Sequence, residues 1–272
     1  MHKIELVALV FVACAFIPAV CAWYLVVPLF FRRNFRLAAS PDIRPVDPAQ
    51  RRPQDADDFF RSGHDSLTAH GFELLGDHAI PNMTERVAGI SRLFVNRSQR
   101  ALANLLVSFR KDKNGVWRIH AMSTIIRTDF ADGRSLRTSN IALLNFRPSK
   151  PAIRGYRFVK IRDPATLHRV HEAIIERQFD GKTKDLLLDS KFGGDYMRFV
   201  RWQAAEEPPH LVETGYCYHD AATDTLRMTV KGAFLSAWKS AWPWKQLRIR
   251  KRDRDAARIL KQIGLNEYGQ PM

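Results

Sequence analysis

The sequence contains few cysteines, and their positions limit the class of protein. Three cysteines occur in 272 residues, and Cys14 and Cys21 both lie in an apolar run near the amino terminus. Beyond that run the sequence has Cys217 alone, so the folded part cannot form an internal disulfide. This excludes the small secreted domains that depend on disulfides for their stability.

Recognisable catalytic and ligand-binding motifs are also lacking. The sequence has no Gly-x-Ser-x-Gly nucleophile elbow and no complete Gly-x-x-x-x-Gly-Lys-Ser/Thr phosphate-binding loop. It also lacks the signatures of helix-turn-helix, zinc-finger and RNA-recognition domains. We therefore expect no cofactor, and the sequence favours a binding or scaffolding module over an enzyme.

Acidic residues are scarce relative to basic ones. The chain has 43 Lys and Arg against 28 Asp and Glu, which gives a formal net charge of +15 and a sequence pI near 10.1. A charge of this size indicates polyanionic surroundings, either nucleic acid or an anionic membrane leaflet. Because the chain also has a candidate membrane anchor, we expect an anionic lipid surface as the partner and no specific nucleic acid.

The candidate anchor is the apolar run Leu6–Phe31, which contains no charged residue. As a helix it measures about 39 Å, enough to span a hydrocarbon core of about 30 Å with some tilt. The alternative is a cleaved signal peptide, with Lys3 as its basic start and Val20–Ala22 as its cleavage site. The anchor is favoured because cleavage would leave Trp23–Phe31 as an exposed apolar amino terminus.

The charged residues beside the run predict its orientation. Lys3 precedes the run, whereas Arg32, Arg33, Arg36 and Arg44 follow it. Under the positive-inside rule this bias places the carboxyl-terminal domain in the cytoplasm. If the signal-peptide alternative holds instead, the domain is secreted or periplasmic.

The composition divides the chain into four parts. Residues 1–36 are the transmembrane anchor with its basic flank, and residues 37–54 are a linker with recurring prolines. Residues 55–232 form a globular domain. Residues 233–272 are a Trp-rich and basic helical section that we assign to the same domain.

The periodicity of the globular part predicts an α+β fold. Five apolar or alternating segments are separated by short turns, two of which contain Asn114-Gly115 and Asp132-Gly133. We therefore predict an antiparallel β-meander of five or more strands with packed helices, preceded by one N-terminal transmembrane helix. The predicted strands are 72–75, 87–95, 101–109, 116–128 and 136–146, with an edge strand at 156–161 and a hairpin of 212–218 with 225–230; the predicted helices are 56–70, 164–178 and 195–205.

The densest group of titratable residues is His168-x-x-His171-Glu172-x-x-x-Glu176 in the predicted helix 164–178. Residues at this spacing share a helix face and can hold a metal or perform acid–base chemistry. The enzyme hypothesis requires at least three of His64, His120, His168, His171 and Glu172 to converge in one pocket. The competing interpretation is that His171 packs in the core, and that Gly63–Ser66 belongs to a solvated helix face.

The carboxyl-terminal section combines tryptophans with cations. Phe234, Trp238, Ala241 and Trp242 are predicted to share one helical face, which would suit a lipid headgroup boundary. Two alternatives are nucleic-acid binding through the same cations, and a closing core helix followed by a solvated basic tail. The residues predicted to contact a membrane surface or polyanion are Trp238, Trp242, Trp244, Lys245, Arg248, Arg250, Lys251, Arg252 and Arg254.

Overall fold

A computed structural model of the chain describes Glu5 and residues 23–46, 52–84, 86–142 and 147–272. Residues 23–34 are helical, and this helix is labelled α1. The helices that follow it are α2 (Gln54–Thr68), α3 (Pro164–Gln178), α4 (Leu187–Ser190), α5 (Tyr196–Ala205), α6 (Glu207–Glu213), α7 (Val230–Ser240) and α8 (Trp244–Gln262). The strands are β1 (Arg36–Ala38), β2 (Arg44–Pro45), β3 (Glu73–Thr84), β4 (Val87–Asn96), β5 (Ala101–Lys111), β6 (Trp117–Phe130), β7 (Ser135–Ser139), β8 (Ile153–Arg157), β9 (Lys184–Asp185), β10 (Cys217–Asp220) and β11 (Thr225–Met228).

The central sheet has its strands in chain order, from β2 to β8, with β9 paired to the end of β6. Neighbours from β2 to β7 are antiparallel, which confirms the α+β class and the antiparallel meander. β8 departs from this pattern and runs parallel to β7. A short hairpin turn places the next strand antiparallel to the one before it. The connection from β7 to β8 is longer, so the chain returns to the edge of the sheet where β7 starts before β8 begins.

One face of the sheet is covered by α2, α3 and α8. Ala101, Ala103, Leu105 and Val107 of β5 point to this face and are fully buried, as the alternation in the sequence predicts. The helices contribute Phe60 and Leu67 from α2, Leu167, Val170 and Ile174 from α3, and Ile259 and Leu260 from α8. The strongly basic α8 is therefore attached to the main core by an apolar stripe.

The opposite face is covered by α4 and α5. Leu93, Val95 and Leu102 point to it from β4 and β5, where they pack against Leu188 and Phe199. The predicted mixed face of β5 is thus half buried as well, because Leu102 lies under the short helices. The sheet needs a cover on both sides, and each of the two covers is helical.

A smaller three-stranded sheet, in the order β1-β11-β10, brings residues 36–38 beside residues 217–228. Its core contains Leu37, Leu211, Leu226 and Met228, and Phe31 of α1 packs against it. β1 and β2 lie within residues 37–54 or at their border, so part of the segment predicted to be a linker is incorporated in the two sheets. The division of the chain into four parts stays a prediction.

Some predicted element borders are wrong. β3 extends to Thr84 instead of ending at residue 75, and β8 lies at Ile153–Arg157 instead of 156–161. Residues 207–213 form α6, because Pro208 and Pro209 occupy its first turn, where a missing N–H is tolerated. The predicted strand at 212–218 accordingly starts later, at Cys217. Residues 143–146 lie outside the described ranges.

No helix within the described ranges is both long and apolar enough to cross a bilayer. Residues 6–22, the larger part of the predicted anchor, lie outside those ranges.

The contact of α7 with Tyr216, the residue before β10, leads to a stability prediction. A Cβ on Gly232 of α7 would lie 2.0 Å from the Tyr216 carbonyl oxygen, so Gly232→Ala forces α7 away from the small sheet. We expect a loss of about 2 kcal/mol or more in the free energy of unfolding, measured by urea titration of the full chain in neutral detergent. Gly155→Ala is the matched control, since its Cβ meets no atom within 4 Å. Equal losses in both variants would contradict the close contact.

Candidate functional site

The aromatic residues of the carboxyl-terminal section lie where α7 meets α8. The rings of Trp238 and Trp244 stack with centroids 5.0 Å apart. α7 ends at Ser240, and Trp242 lies between the two helices with 73% of its surface exposed. The predicted continuous helical face through Trp242 is therefore wrong, because Pro243 removes a backbone donor and restricts the residue before it. Ala241, assigned to the same face, is buried.

α1 is brought to the same place by its contact with Trp238. The Tyr24 and Trp238 ring centroids are 5.3 Å apart, so Trp238 touches both the carboxyl-terminal part of the apolar run and α8. Phe31 and Phe35 extend this contact along the small sheet. Two segments that are more than 200 residues apart in the sequence thus form one continuous surface.

This surface is apolar and exposed. We define the aromatic surface as Tyr24, Phe234, Trp238, Trp242 and Trp244. Phe234 and Trp238 are 42% and 47% exposed, and they lie one helical turn apart. The adjoining part of α1 is also exposed, with Leu25, Val26, Leu29 and Phe30 at 60 to 66%. A contiguous apolar area of this kind is typical of an interaction surface.

The cations of α8 are divided between two sides of the helix. Lys245, Arg250, Lys251 and Arg254 are exposed. Arg248 and Arg252, spaced one turn apart, are half buried and face β8. The predicted single basic section is thus two separate features, an exposed face and a lined cleft.

The arginine cleft lies between β8, residues 147–149 and α8, and has a volume of about 590 Å³. Gly155 and Tyr156 of β8 form part of its floor, while Ala256 and Ile259 of α8 form part of its wall. Its charged lining consists of Arg147, Arg154, Arg157, Arg248, Arg252 and Arg258, with Asp255 as the acidic residue.

The arginines of the cleft repel one another. Burial, followed by the nearby guanidinium groups of Arg252 and Arg248, lowers the pKa of Arg157 from its ordinary value. Some charge is offset locally, since Arg258 lies 3.6 Å from Asp255 and Arg147 lies 2.6 Å from Glu207. Arg252 pairs with the exposed Asp253 at 2.8 Å. The lining nevertheless has far more cations than carboxylates.

Sequence reasoning found two of the six arginines of this cleft. Arg248 and Arg252 are among the predicted contact residues, but Arg147, Arg154, Arg157 and Arg258 are not. The sequence feature that pointed to the missed arginines is the recurrence of arginine in and before β8. This feature does not predict a cleft by itself, because the cleft forms only when β8 packs beside α8, about 100 positions later in the sequence.

The His/Glu cluster on α3 is embedded in the core. His171 is fully buried, with Nδ1 3.0 Å from the Thr138 hydroxyl and Nε2 3.0 Å from the Thr128 hydroxyl. Burial lowers its pKa to about 3. His168 lies 3.6 Å from Glu172, which accepts a hydrogen bond from Lys184. Both ring nitrogens of His171 are thus engaged by hydroxyl groups, in agreement with the core interpretation.

The other residues of the enzyme hypothesis lie on other elements. His64, on α2, packs its ring 5.7 Å from that of Phe94. His120 is exposed and is the unpaired residue of a bulge in β6. Ser66, predicted to face solvent, donates a hydrogen bond of 2.5 Å to Asp163, the N-cap of α3. Within the described ranges no three His, Cys, Asp or Glu residues are arranged to hold a metal ion.

Comparison with protein-family models, curated proteins and solved structures found no match to this chain.

The burial of His171 leads to a prediction about pH. An unfolded histidine protonates near pH 6.5, whereas the folded His171, with a pKa of about 3, stays neutral. The unfolded state therefore binds more protons as the pH falls, and His171 should account for a loss of about 2 kcal/mol in the free energy of unfolding between pH 7 and pH 5. His171→Gln should reduce this pH dependence by that amount in urea titrations. An unaltered slope in His171→Gln would contradict the assignment.

Proposed function

We propose that this chain is a single-pass membrane protein whose α+β domain acts as a binding or scaffolding module at the membrane surface. The observation that carries this proposal is the contact of Tyr24 with Trp238. It brings the aromatic surface beside the carboxyl-terminal part of the apolar run that would span the bilayer. Aromatic residues are favoured at the boundary between headgroups and acyl chains.

The geometry supports a specific depth for this surface. Tyr24 precedes Phe31 by seven residues, a rise of about 10 Å along a helix. If Arg32 and Arg33 lie among the headgroups, Tyr24 and Trp238 lie about 10 Å deeper, the depth to which interfacial helices bury their apolar faces. The exposed Leu25, Val26, Leu29 and Phe30 would then face lipid.

Charge supports an anionic leaflet as the partner. Arg32, Arg33 and Arg36 follow the apolar run and are exposed, and Lys245, Arg250, Lys251 and Arg254 are exposed on α8. A basic residue close to an anionic surface contributes about 1 kcal/mol to binding. The same cations, by the positive-inside rule, favour a cytoplasmic domain.

The depth of the aromatic surface can be tested by fluorescence quenching. The full chain, reconstituted in vesicles that contain lipids brominated in the upper part of the acyl chain, should show strong tryptophan quenching. The combined variant Trp238→Phe, Trp242→Phe and Trp244→Phe should have a smaller quenched fraction, because it removes three of the four tryptophans expected near lipid and leaves Trp23 of the apolar run. Intensities with and without brominated lipid provide the measurement.

The control for this experiment removes tryptophans from other parts of the fold. Trp117 lies on β6 and Trp202 packs against Phe192 of the second core. The double variant Trp117→Phe and Trp202→Phe should have a larger quenched fraction than the unaltered protein. If the triple variant keeps the original quenched fraction or exceeds it, the aromatic surface is not in contact with lipid and the proposal fails.

Orientation can be tested with a cysteine at the β5–β6 turn. Cys217 is buried, and burial raises the pKa of its thiol to about 11, so it should stay silent towards thiol reagents at pH 8. Asn114→Cys, in an exposed turn and in a chain with Cys14→Ser and Cys21→Ser, should react with a membrane-impermeant reagent only after cells are lysed. Labelling of intact cells would overturn the cytoplasmic orientation, and an intact mass lacking residues 1–22 would indicate a cleaved signal.

A further inference from the structure

The arginine cleft has the composition of an anion-binding site. Six arginines and one aspartate line it, and two of these arginines, Arg154 and Arg157, belong to the edge strand β8. A guanidinium group offers several donors in a plane that matches the oxygens of a phosphate. Folding alone does not require this arrangement, since uncharged side chains would fill the same positions without mutual repulsion.

Neutral donors complete the lining. The Tyr156 hydroxyl donates to Gln178 Oε1 at 2.7 Å, which fixes the amide and leaves its NH₂ group as a donor on the same wall. Ser149 and Gln262 also line the cleft. Polar groups of this kind, fixed by their neighbours, determine how a ligand is oriented in a site.

The cleft is large enough to hold a small ligand. Its volume of about 590 Å³ falls within the range of small-molecule sites. Its Arg248 lies one turn after Trp244, at the end of α8 that carries the aromatic surface. A phosphorylated headgroup and a soluble phosphorylated molecule would therefore both have access to it.

We propose that the arginine cleft binds a ligand that carries a phosphate dianion, held by the arginines of β8 and α8. The ligand is either the headgroup of a lipid or a soluble phosphorylated molecule. Binding by the cleft does not depend on membrane attachment of the domain. It can be measured in detergent, so the result stays interpretable even if the membrane proposal is wrong.

The test uses the full chain in neutral detergent micelles and two probes, inorganic pyrophosphate and dioctanoyl phosphatidic acid. We expect saturable binding of at least one probe by calorimetry. Arg248→Gln with Arg252→Gln removes two cations that face the cleft. It should weaken association at least about tenfold, because the hydrogen bonds from these two guanidinium groups to the phosphate are lost. Binding of pyrophosphate would indicate a soluble ligand, and binding of phosphatidic acid alone would indicate a headgroup.

The matched control is Arg250→Gln with Arg254→Gln. It removes the same charge at the same spacing of four residues, but from the exposed side of α8. The control should bind inorganic pyrophosphate as the unaltered chain does, because the exposed side of α8 does not line the cleft. An equal loss in both double variants would mean nonspecific attraction and would overturn the proposal, as would the absence of binding to either probe. Tighter binding of a short DNA duplex, weakened by the control as well, would also overturn it in favour of nucleic acid.

A third variant tests the cleft without altering its charge. Gly155 lines the cleft, and a Cβ there has open space around it. Gly155→Leu should therefore fold, occupy part of the cleft and reduce association about tenfold or more. Unchanged affinity in Gly155→Leu, with an unchanged urea midpoint, would contradict binding in the cleft.

Discussion

The burial of apolar side chains on both faces of the central sheet is the constraint on which the other features of the fold depend. β5 directs Leu105 and Val107 to one face and Leu102 to the other, and neither face can be left in water. α8 takes part in this cover through Ile259 and Leu260. Once that stripe is buried, the rotation of the helix brings Arg248 and Arg252 against β8 and leaves Arg250 and Arg254 outside. The arginine cleft is thus a consequence of how a basic helix closes an apolar core.

The small sheet has a comparable role at the ends of the chain. β1 pairs with β11, and Gly232 lets α7 rest directly on the backbone of Tyr216. These two contacts determine the position of α7 relative to α1, and hence the meeting of Tyr24 with Trp238. A chain truncated at the start of α2 would lose β1 and β2 together, so the aromatic surface cannot be separated from the segment that follows the apolar run.

Local sequence patterns correctly predicted the elements that are determined by their own capping residues and periodicity. α3 starts at Pro164 behind the N-cap Asp163 and ends at Gln178, as its capping and periodicity indicate. The alternation of β5 likewise identified its core face. The short strands β1 and β2 were missed, because they exist only through pairing with β11 and β3, and their prolines and polar residues resemble those of a linker. The same reason applies to the candidate site: the charge of residues 245–254 was visible, but its division into an exposed face and a cleft depends on the position of β8.

The arginine cleft and the aromatic surface are connected by α8 itself. Trp244 begins the helix beside Trp238, and Arg248 follows one turn later on the side of the cleft. Ile259, three turns further on, anchors the helix in the main core. A rigid helix with an apolar anchor at its far end keeps the first turns in a constant relation to β8, so the arginines are positioned before any ligand arrives. Such preorganisation lowers the entropic cost of binding. The burial of Ile259 and Leu260 in the main core holds α8 in place against the repulsion of Arg157 by Arg248 and Arg252.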